Sequence, residues 1–348
     1  MGSCLKLLTL SLLVTLGNLH SPNLQSPGWK QLPPLPDPEG FAAPFAGMSH
    51  NQLLVAGGAN FPDKRPWEGG TKVWYDKVFA LDTNTSKWSV VGTLPRPLGY
   101  GISTSFENKL VCIGGSDSKQ HYSNAFTLEV INQQLVTRSF PSLPMNLANA
   151  CGTQVGSRLI VAGGQEKPDS TSASEKVFEI NLAAKSPTWK ELPQLPCGGR
   201  ILATAATLNG NFWVIGGASL APDTQGKAVR TYHNDSYRFD GKQWHREANL
   251  PFPVVAAPSP APSSRQGIFV LGGDDGSWVG KPPQTHPGFA NSILRYDPIR
   301  KSWEREGSIP APRVTVPTVR RGLEWIIPNG EQKPGIRSNE VWQFTPKN

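Results

Sequence analysis

A single dipeptide organises this chain. Gly-Gly stands at Gly57-Gly58, Gly114-Gly115, Gly163-Gly164, Gly216-Gly217 and Gly272-Gly273. Each copy follows a short apolar run with strand composition: Gln52 to Ala56, Lys109 to Ile113, Arg158 to Ala162, Asn211 to Ile215 and Gln266 to Leu271. A sixth run, Leu323 to Ile327, leads into Pro328-Asn329-Gly330, where Asn replaces the first glycine. The anchors lie about 49 to 57 residues apart. Self-similarity at such a period describes one supersecondary unit that buries its faces only by stacking on copies of itself. The glycines have a physical task. A tight turn after a buried strand calls for positive φ, which glycine adopts without a Cβ penalty.

The rest of each unit is equally regular. A loop leads to a second strand (Lys77 to Asp82, Ala125 to Val130, Lys176 to Asn181, Ser236 to Asp240, Ile293 to Asp297, Val341 to Phe344). In four units a Trp opens a third strand (Trp88, Trp189, Trp244, Trp303), and such a Trp is expected to pack between neighbouring units. Pro-rich turns close the units at Leu94-Pro95, Leu143-Pro144, Leu192-Pro193, Leu250-Pro251 and Ile309-Pro310. The sixth closing unit is missing after Thr345-Pro346 but stands at the other end of the chain, as Trp29 to Pro36. The expected fold is therefore all-β: a six-bladed β-propeller over residues 29–346, a single domain whose last blade is closed by the N-terminal strand. Such closure leaves no open seam with exposed strand edges. With 35 Gly and 33 Pro, both poor helix formers, the composition argues against a helical protein. The period, the glycine pair and the later Trp resemble the kelch repeat.

Residues 1–20 read as a signal peptide and 21–28 as a short leader. Lys6 precedes an apolar run from Leu7 to Leu16 that is too short to span a bilayer. The expected location is periplasmic or secreted, and no other stretch reaches transmembrane length. The net charge is +8, but Lys and Arg are scattered, with no basic stripe interleaved with aromatics, so nucleic acid is not expected as a partner. Cys112, Cys151 and Cys197 are widely spaced and odd in number, which is no disulfide framework, and Cys112 reads as a small core residue. No CxxC or HxxxH spacing offers a metal site, and no cofactor is expected.

The unusual loops are where chemistry is expected. Immediately after the altered sixth anchor come Glu331 and Arg337, within Asn329-Gly330-Glu331-Gln332-Lys333-Pro334-Gly335-Ile336-Arg337-Ser338. A carboxylate there can serve as a general base, and a guanidinium can hold a substrate carboxylate through paired hydrogen bonds. The plain alternative is an ion pair that only holds the loop. The loop Ala59 to Gly70 is long and carries Asn60, Phe61 and Trp67, groups suited to gripping a sugar or, equally, to stapling a surface excursion. Tyr100 and Arg200 precede inner strands at what look like corresponding places, and either could face the channel. Asp274-Asp275-Gly276-Ser277-Trp278 is not a sialidase Asp-box, whose Trp lies three residues after the Gly rather than two. These acids are expected to cap a turn.

At these residues the chain resembles the sialic acid mutarotases, the N-acetylneuraminate epimerase family of exported six-bladed kelch propellers. Asn329 to Arg337 is similar to that family's Asn-Gly-Glu-x-Lys-Pro-Gly-x-Arg loop. Gly40 to Gly47, Gly57-Gly58-Ala59 and Gly99-Tyr100-Gly101 are similar to further family stretches. In the better-known bacterial members the stretch like residues 40–120 follows the Glu/Arg loop, whereas here it comes first, so the chain looks like a cyclically permuted branch. The resemblance implies an isomerase that interconverts the α and β anomers of N-acetylneuraminic acid, a small acidic sugar. It implies Glu331 as acid/base, Arg337 as the carboxylate-binding group and Arg200 as a further site residue, with no metal or cofactor. Two other classes stay open on the residues alone. One is a non-catalytic glycan- or protein-binding propeller. The other is a copper radical oxidase, which needs Tyr and His ligands that show no clustering in this sequence.

Overall fold

The computed structural model describes residues 28–347 together with Met1. The signal-peptide reading of residues 1–20 and most of the leader therefore fall outside the described residues. Six four-stranded antiparallel sheets stand around a central channel as the blades of a propeller. In blade 1 the strands run Phe45–Ser49, Gln52–Ala56, Lys77–Asp82 and Lys87–Thr93, from the channel outward. The inner strands of blades 2 to 6 begin at Ile102, Cys151, Thr204, Ser263 and Val319. Blade 6 is assembled from both ends of the chain: Gly28–Leu32 pairs with Val341–Thr345, Gly28 opposite Thr345 and Leu32 opposite Val341. The strand expected to close the ring is there, in register.

Each second strand is buried along almost its whole length because blades cover both of its faces. Gln52–Ala56, Lys109–Ile113, Arg158–Ala162 and Asn211–Ile215 share one pattern, a half-buried first residue and four buried ones. This explains why these segments read as continuous apolar runs rather than alternating ones. The outer strand Lys87–Thr93 has no buried residue. The largest fully buried side chains include Phe41, Phe45, Phe212, Phe239, Phe269 and Phe344, and truncating one such Phe to Ala typically costs about 3–5 kcal/mol.

The tryptophans tie blade to blade through their indole N–H. Trp88 donates to the Pro33 carbonyl at 2.9 Å, Trp189 to Pro141 at 2.8 Å, Trp244 to Pro193 at 2.9 Å and Trp303 to Ala248 at 3.0 Å. Each acceptor lies in or beside the closing turn of the preceding blade, so the repeated Trp and the repeated Pro-rich turn form one joint.

The glycine pairs act at one end of the propeller. Gly57 has φ +65°, and a Cβ there would come within 2.2 Å of the Leu98 carbonyl oxygen. The next residue, Gly58, donates its N–H to that same carbonyl at 2.8 Å. Equivalent bonds run from Gly115 to Leu147, Gly164 to Arg200, Gly217 to Val254 and, in the altered repeat, Gly330 to Phe41. Each anchors the segment that enters a neighbouring inner strand.

Two residues beyond each of these five carbonyls, at Ala43, Tyr100, Asn149, Leu202 and Ala256, and at Thr315 in the remaining unit, the backbone turns left-handed, with φ between 49° and 61°. None of the six is glycine, and such a conformation costs an L-residue about 1–2 kcal/mol. The compensation is a closed circuit of backbone hydrogen bonds. Ala43 donates to Thr315, Thr315 to Ala256, Ala256 to Leu202, Leu202 to Asn149, Asn149 to Tyr100 and Tyr100 to Ala43, all at 2.7–3.0 Å. This collar encircles the channel, and the small void at it, about 80 Å³, is lined mostly by small side chains such as Ala203 and Ala257.

Candidate functional site

The residue after each glycine pair pairs by an antiparallel bridge with the residue just before a collar position: Ala59 with Ala42, Ser116 with Gly99, Gln165 with Ala148, Ala218 with Ile201, Asp274 with Val255 and Glu331 with Val314. Six rim positions result, occupied by Ala, Ser, Gln, Ala, Asp and Glu. Glu331 thus holds a place that every repeat has, and what sets blade 6 apart is the residue type there and the loop that follows.

That loop is a short ribbon, Glu331–Lys333 against Ile336–Arg337, and its register sets Glu331 directly opposite Arg337. The Glu331 Oε1 accepts from Arg337 Nη1 at 2.9 Å and from the Gly335 N–H at 2.7 Å. The Arg337 side chain is only 3% exposed and that of Glu331 17%. The guanidinium carbon of Arg337 lies over the Phe61 ring, 4.9 Å from its centroid, and Nε makes a long 3.4 Å contact with the Ala59 carbonyl. Among the described residues no donor reaches Glu331 Oε2 and no acceptor reaches Arg337 Nη2. One oxygen and one nitrogen are locked, and the other of each is open.

The two loops singled out in the sequence meet here. Asn60 is buried, pairs with Val73 in a second small ribbon and donates its amide to the Gly40 carbonyl at 3.0 Å. A Cβ at Gly335 would strike the Pro66 ring at 2.6 Å and lie 3.2 Å from Trp67, so the blade 1 loop packs directly on the Glu331–Arg337 ribbon. Tyr100 belongs to the collar. Its hydroxyl is 3.3 Å from Lys72 Nζ, and that ammonium also lies over the Tyr100 and Trp74 rings at 5.1 and 5.3 Å. The structure brings Glu331, Arg337 and Asn60 together, with Tyr100 on the same rim one blade further round.

Arg200 is placed differently. It does not correspond to Tyr100: the carbonyl of Arg200 takes the place of Leu98, two positions earlier in the repeat. Its side chain is 4% exposed and is bound to Asp235 at 2.9 Å and to the Cys197 carbonyl at 3.0 Å. Its counterpart before blade 6 is Arg313, 2% exposed and bound to Glu340 at 2.8 Å. Arg200 is two blades away from Glu331 and turned into the blade.

Asp274, read from the sequence as a turn cap, and Tyr232, His121 and His286, which sequence reading passed over, complete the face. Asp274, the counterpart of Glu331 in blade 5, caps its turn as expected, accepting the Gly276 N–H at 3.0 Å, and also accepts the Tyr232 hydroxyl at 2.9 Å. Burial and that carboxylate push the Tyr232 hydroxyl up to about 12. His121 is buried with Nδ1 3.0 Å from the Gln165 carbonyl, and burial lowers its pKa. Burial likewise lowers that of His286, partly offset by Asp274. The usable signal for the rim was position, the first residue after each glycine pair. The histidines lie in loops whose course the repeat does not dictate. Among the described residues no three His, Cys, Asp or Glu side chains gather in a way that could hold a metal ion, and no helix is long and apolar enough to cross a membrane.

Comparison with known proteins adds to this geometry. Residues 17–137 match the model of the N-acetylneuraminate epimerase family. That is the family this chain resembles. The match includes Asn60 and Tyr100 and ends before Glu331 and Arg337. N-acetylneuraminate epimerase from Haemophilus influenzae (strain 86-028NP) is 43% identical over 101 residues, 25% of this chain and 26% of that protein. Its namesake from Yersinia pestis (strain Pestoides F) is 40% identical over 100 residues, 26% of this chain and 24% of that protein. The matched stretch thus spans about a quarter of each relative. A solved structure titled "Structure of YjhT" superposes with a TM-score of 0.68, covering 91% of this chain and 97% of that one at 16% identity, which bears on the fold.

Proposed function

We propose that this protein is a sugar-acid mutarotase that interconverts the α and β anomers of N-acetylneuraminic acid. The observation that carries the reading is the rim pair Glu331–Arg337, in which neither Oε2 nor Nη2 has a hydrogen-bond partner among the described residues. The names of the relatives point to the same sugar. Glu331 Oε2 accepts the proton of the anomeric hydroxyl as the bond from C2 to the ring oxygen breaks, and a solvent water gives that oxygen a proton, the resulting hydroxide being neutralised by the proton Glu331 releases. The open keto form turns about C2, and the ring oxygen closes on the other face with the proton transfers reversed. Atoms and oxidation state are unchanged. Arg337 Nη2 holds the C1 carboxylate and so fixes which carbon reacts, while Oε1, locked by Nη1 and the Gly335 N–H, keeps the carboxylate oriented. Asn60 keeps the blade 1 loop in place, and Tyr100 offers a hydroxyl to the sugar.

The test is NMR of the α anomer, freshly released by a sialidase. With the native protein the β anomer is expected to appear faster than in buffer. With Glu331→Gln the rate is expected to fall by about 10²–10⁴-fold, the usual worth of acid–base assistance, towards the spontaneous rate. A native rate equal to buffer sinks the reading, and bound sugar without acceleration favours a glycan-binding propeller instead. The N-terminal segment supports export of the mature chain, which N-terminal sequencing of protein recovered outside the cytoplasm would check.

A further inference from the structure

Blade 5 carries a long excursion, residues 274–289, between its second and third strands. Between this excursion and the ribbon of blade 6 lies a cavity of about 700 Å³, within the usual range of small-molecule sites. It sits next to the site already described without being part of it: Gln332 and Lys333, the two residues after Glu331, line it, and Glu331 itself does not. A Cβ on Gly288 would lie 4.0 Å from the Gln332 carbonyl oxygen, so the excursion meets the ribbon there.

One wall of the cavity is aromatic. The rings of Trp278 and His286 are 5.7 Å apart and those of His286 and Phe289 5.0 Å, tilted by 51° and 55°, a run of three aromatic side chains. The Gly288 N–H donates to His286 Nδ1 at 3.1 Å, which leaves the other ring nitrogen as the one able to donate. The remaining lining mixes Pro310, Ala311 and Pro312 with polar and charged groups, Asp275, Asn291 and Lys333 among them. Aromatic and proline surface interspersed with donors and acceptors suits a ligand that carries both methyl or C–H surface and several hydroxyls.

We propose that this cavity is the specificity subsite for the exocyclic part of the sugar, its acetamido group and three-carbon polyol arm. The inference rests on the mutarotase reading of the neighbouring rim. With the anomeric carbon at Glu331 and the carboxylate at Arg337, the far side of the sugar reaches over Lys333 into the cavity. The acetamido methyl lies on the Trp278–His286–Phe289 face, and the polyol hydroxyls reach Asp275, Asn291 and Lys333. The preferred substrates are then nine-carbon keto acid sugars, with shorter ones turned over poorly.

The test compares N-acetylneuraminic acid with an analogue whose two terminal arm carbons have been removed, using the native protein, Trp278→Ala and His286→Gln. The expected result is a KM about tenfold lower for the full sugar with the native protein, the worth of about 1.4 kcal/mol. Both variants should erase that preference by raising KM for the full sugar while leaving kcat unchanged. Saturation-transfer NMR provides a readout independent of turnover. Transfer to the acetyl methyl and arm protons is expected with the native protein and is expected to be lost in Trp278→Ala, while transfer to the C3 protons remains. Variants that shift KM equally for both sugars or for neither, or native protein that saturates only the ring protons or none, overturn the proposal. The native protein with the full sugar separates the two claims: if its rate equals that in buffer, the mutarotase reading fails, whatever the cavity binds.

Discussion

Three arginines in this propeller are buried against carboxylates, and they divide into two kinds. Arg200 with Asp235 and Arg313 with Glu340 occupy equivalent places in the repeat, at 2.9 and 2.8 Å, and each arginine also donates to backbone carbonyls. Arg337 with Glu331 lies at a similar 2.9 Å but across a rim ribbon; blades 1 and 4 carry ribbons at the same place whose paired strands hold no carboxylate, and Phe61 from a neighbouring blade stands on one side of the arginine. The lesson is about repetition. A buried pair that recurs where the architecture recurs holds a blade together, whereas one that occurs once, at the rim, with an open atom on each partner, is available to a ligand. Burial and distance do not separate the two kinds, but the symmetry of the fold does.

The sharpest way to break this comparison is to remove the ties. Arg313→Ala leaves Glu340 half-buried without its partner, and the expected loss is about 3–5 kcal/mol by urea denaturation. Arg200→Ala should behave alike, with KM for the sugar unchanged in whatever protein remains folded. An increase in KM without a loss of stability would return Arg200 to the site. Arg337→Lys keeps the charge and loses the planar fork. It should raise KM by roughly 10- to 100-fold, about 1.4–2.8 kcal/mol, with a smaller effect on the denaturation midpoint. An unchanged KM would make Arg337 a tie like the others.

Asn329 sharpens the comparison from the other side. It stands at φ +66° where other repeats have glycine, and neither polar atom of its fully buried amide has a hydrogen-bond partner. A buried polar group left unpaired costs about 1–3 kcal/mol, so Asn329→Gly, which restores the repeat, should stabilise the protein by about 1 kcal/mol or somewhat more. A lower melting temperature in that variant would show that the amide is held by something other than its surroundings in the free protein. The smallest effect expected is one of pH. Burial depresses the pKa of His121, His233 and His286 below the ordinary histidine value. Their neutral forms favour the folded state, so this stability is complete above about pH 6.5, the unfolded value, and declines as pH falls towards the lowered folded values. His121→Gln should flatten the slope of melting temperature against pH below 6.5, and an unaltered slope would remove that residue from the account.

The architecture was legible because it is repeated. Five of the six predicted second strands begin within one residue of their observed starts and end within one of their observed ends, and only Gln266 to Leu271 runs on, to Gly273. The split blade was legible because an element missing at one terminus appeared at the other. The collar was not, because its left-handed residues are Ala, Tyr, Asn, Leu, Ala and Thr, and no residue type marks them. Arg200 was misaligned with Tyr100 for a related reason: no shared residue pattern marks the segments that enter the inner strands, and their phase is set by hydrogen bonds from the glycine pairs of other blades. At the site, Glu331 and Arg337 stood out as a break in the pattern. Tyr232, His121 and His286 did not, because they lie on excursions of unequal length whose tips are brought to the rim only by tertiary packing.

The collar also governs what can change in such a molecule. Six donors and six acceptors form a loop with no first or last member, so no donor or acceptor of the collar is left over in the throat of the channel. The place at which the chain is cut is free, since the severed ends of any blade are returned to each other by strand pairing as Gly28–Leu32 and Val341–Thr345 are. The collar behaves as a diaphragm with its own frame. The excursions above it can lengthen, shorten or exchange residues without disturbing the barrel below, and new substrates can be explored on one face while the fold stays as it is.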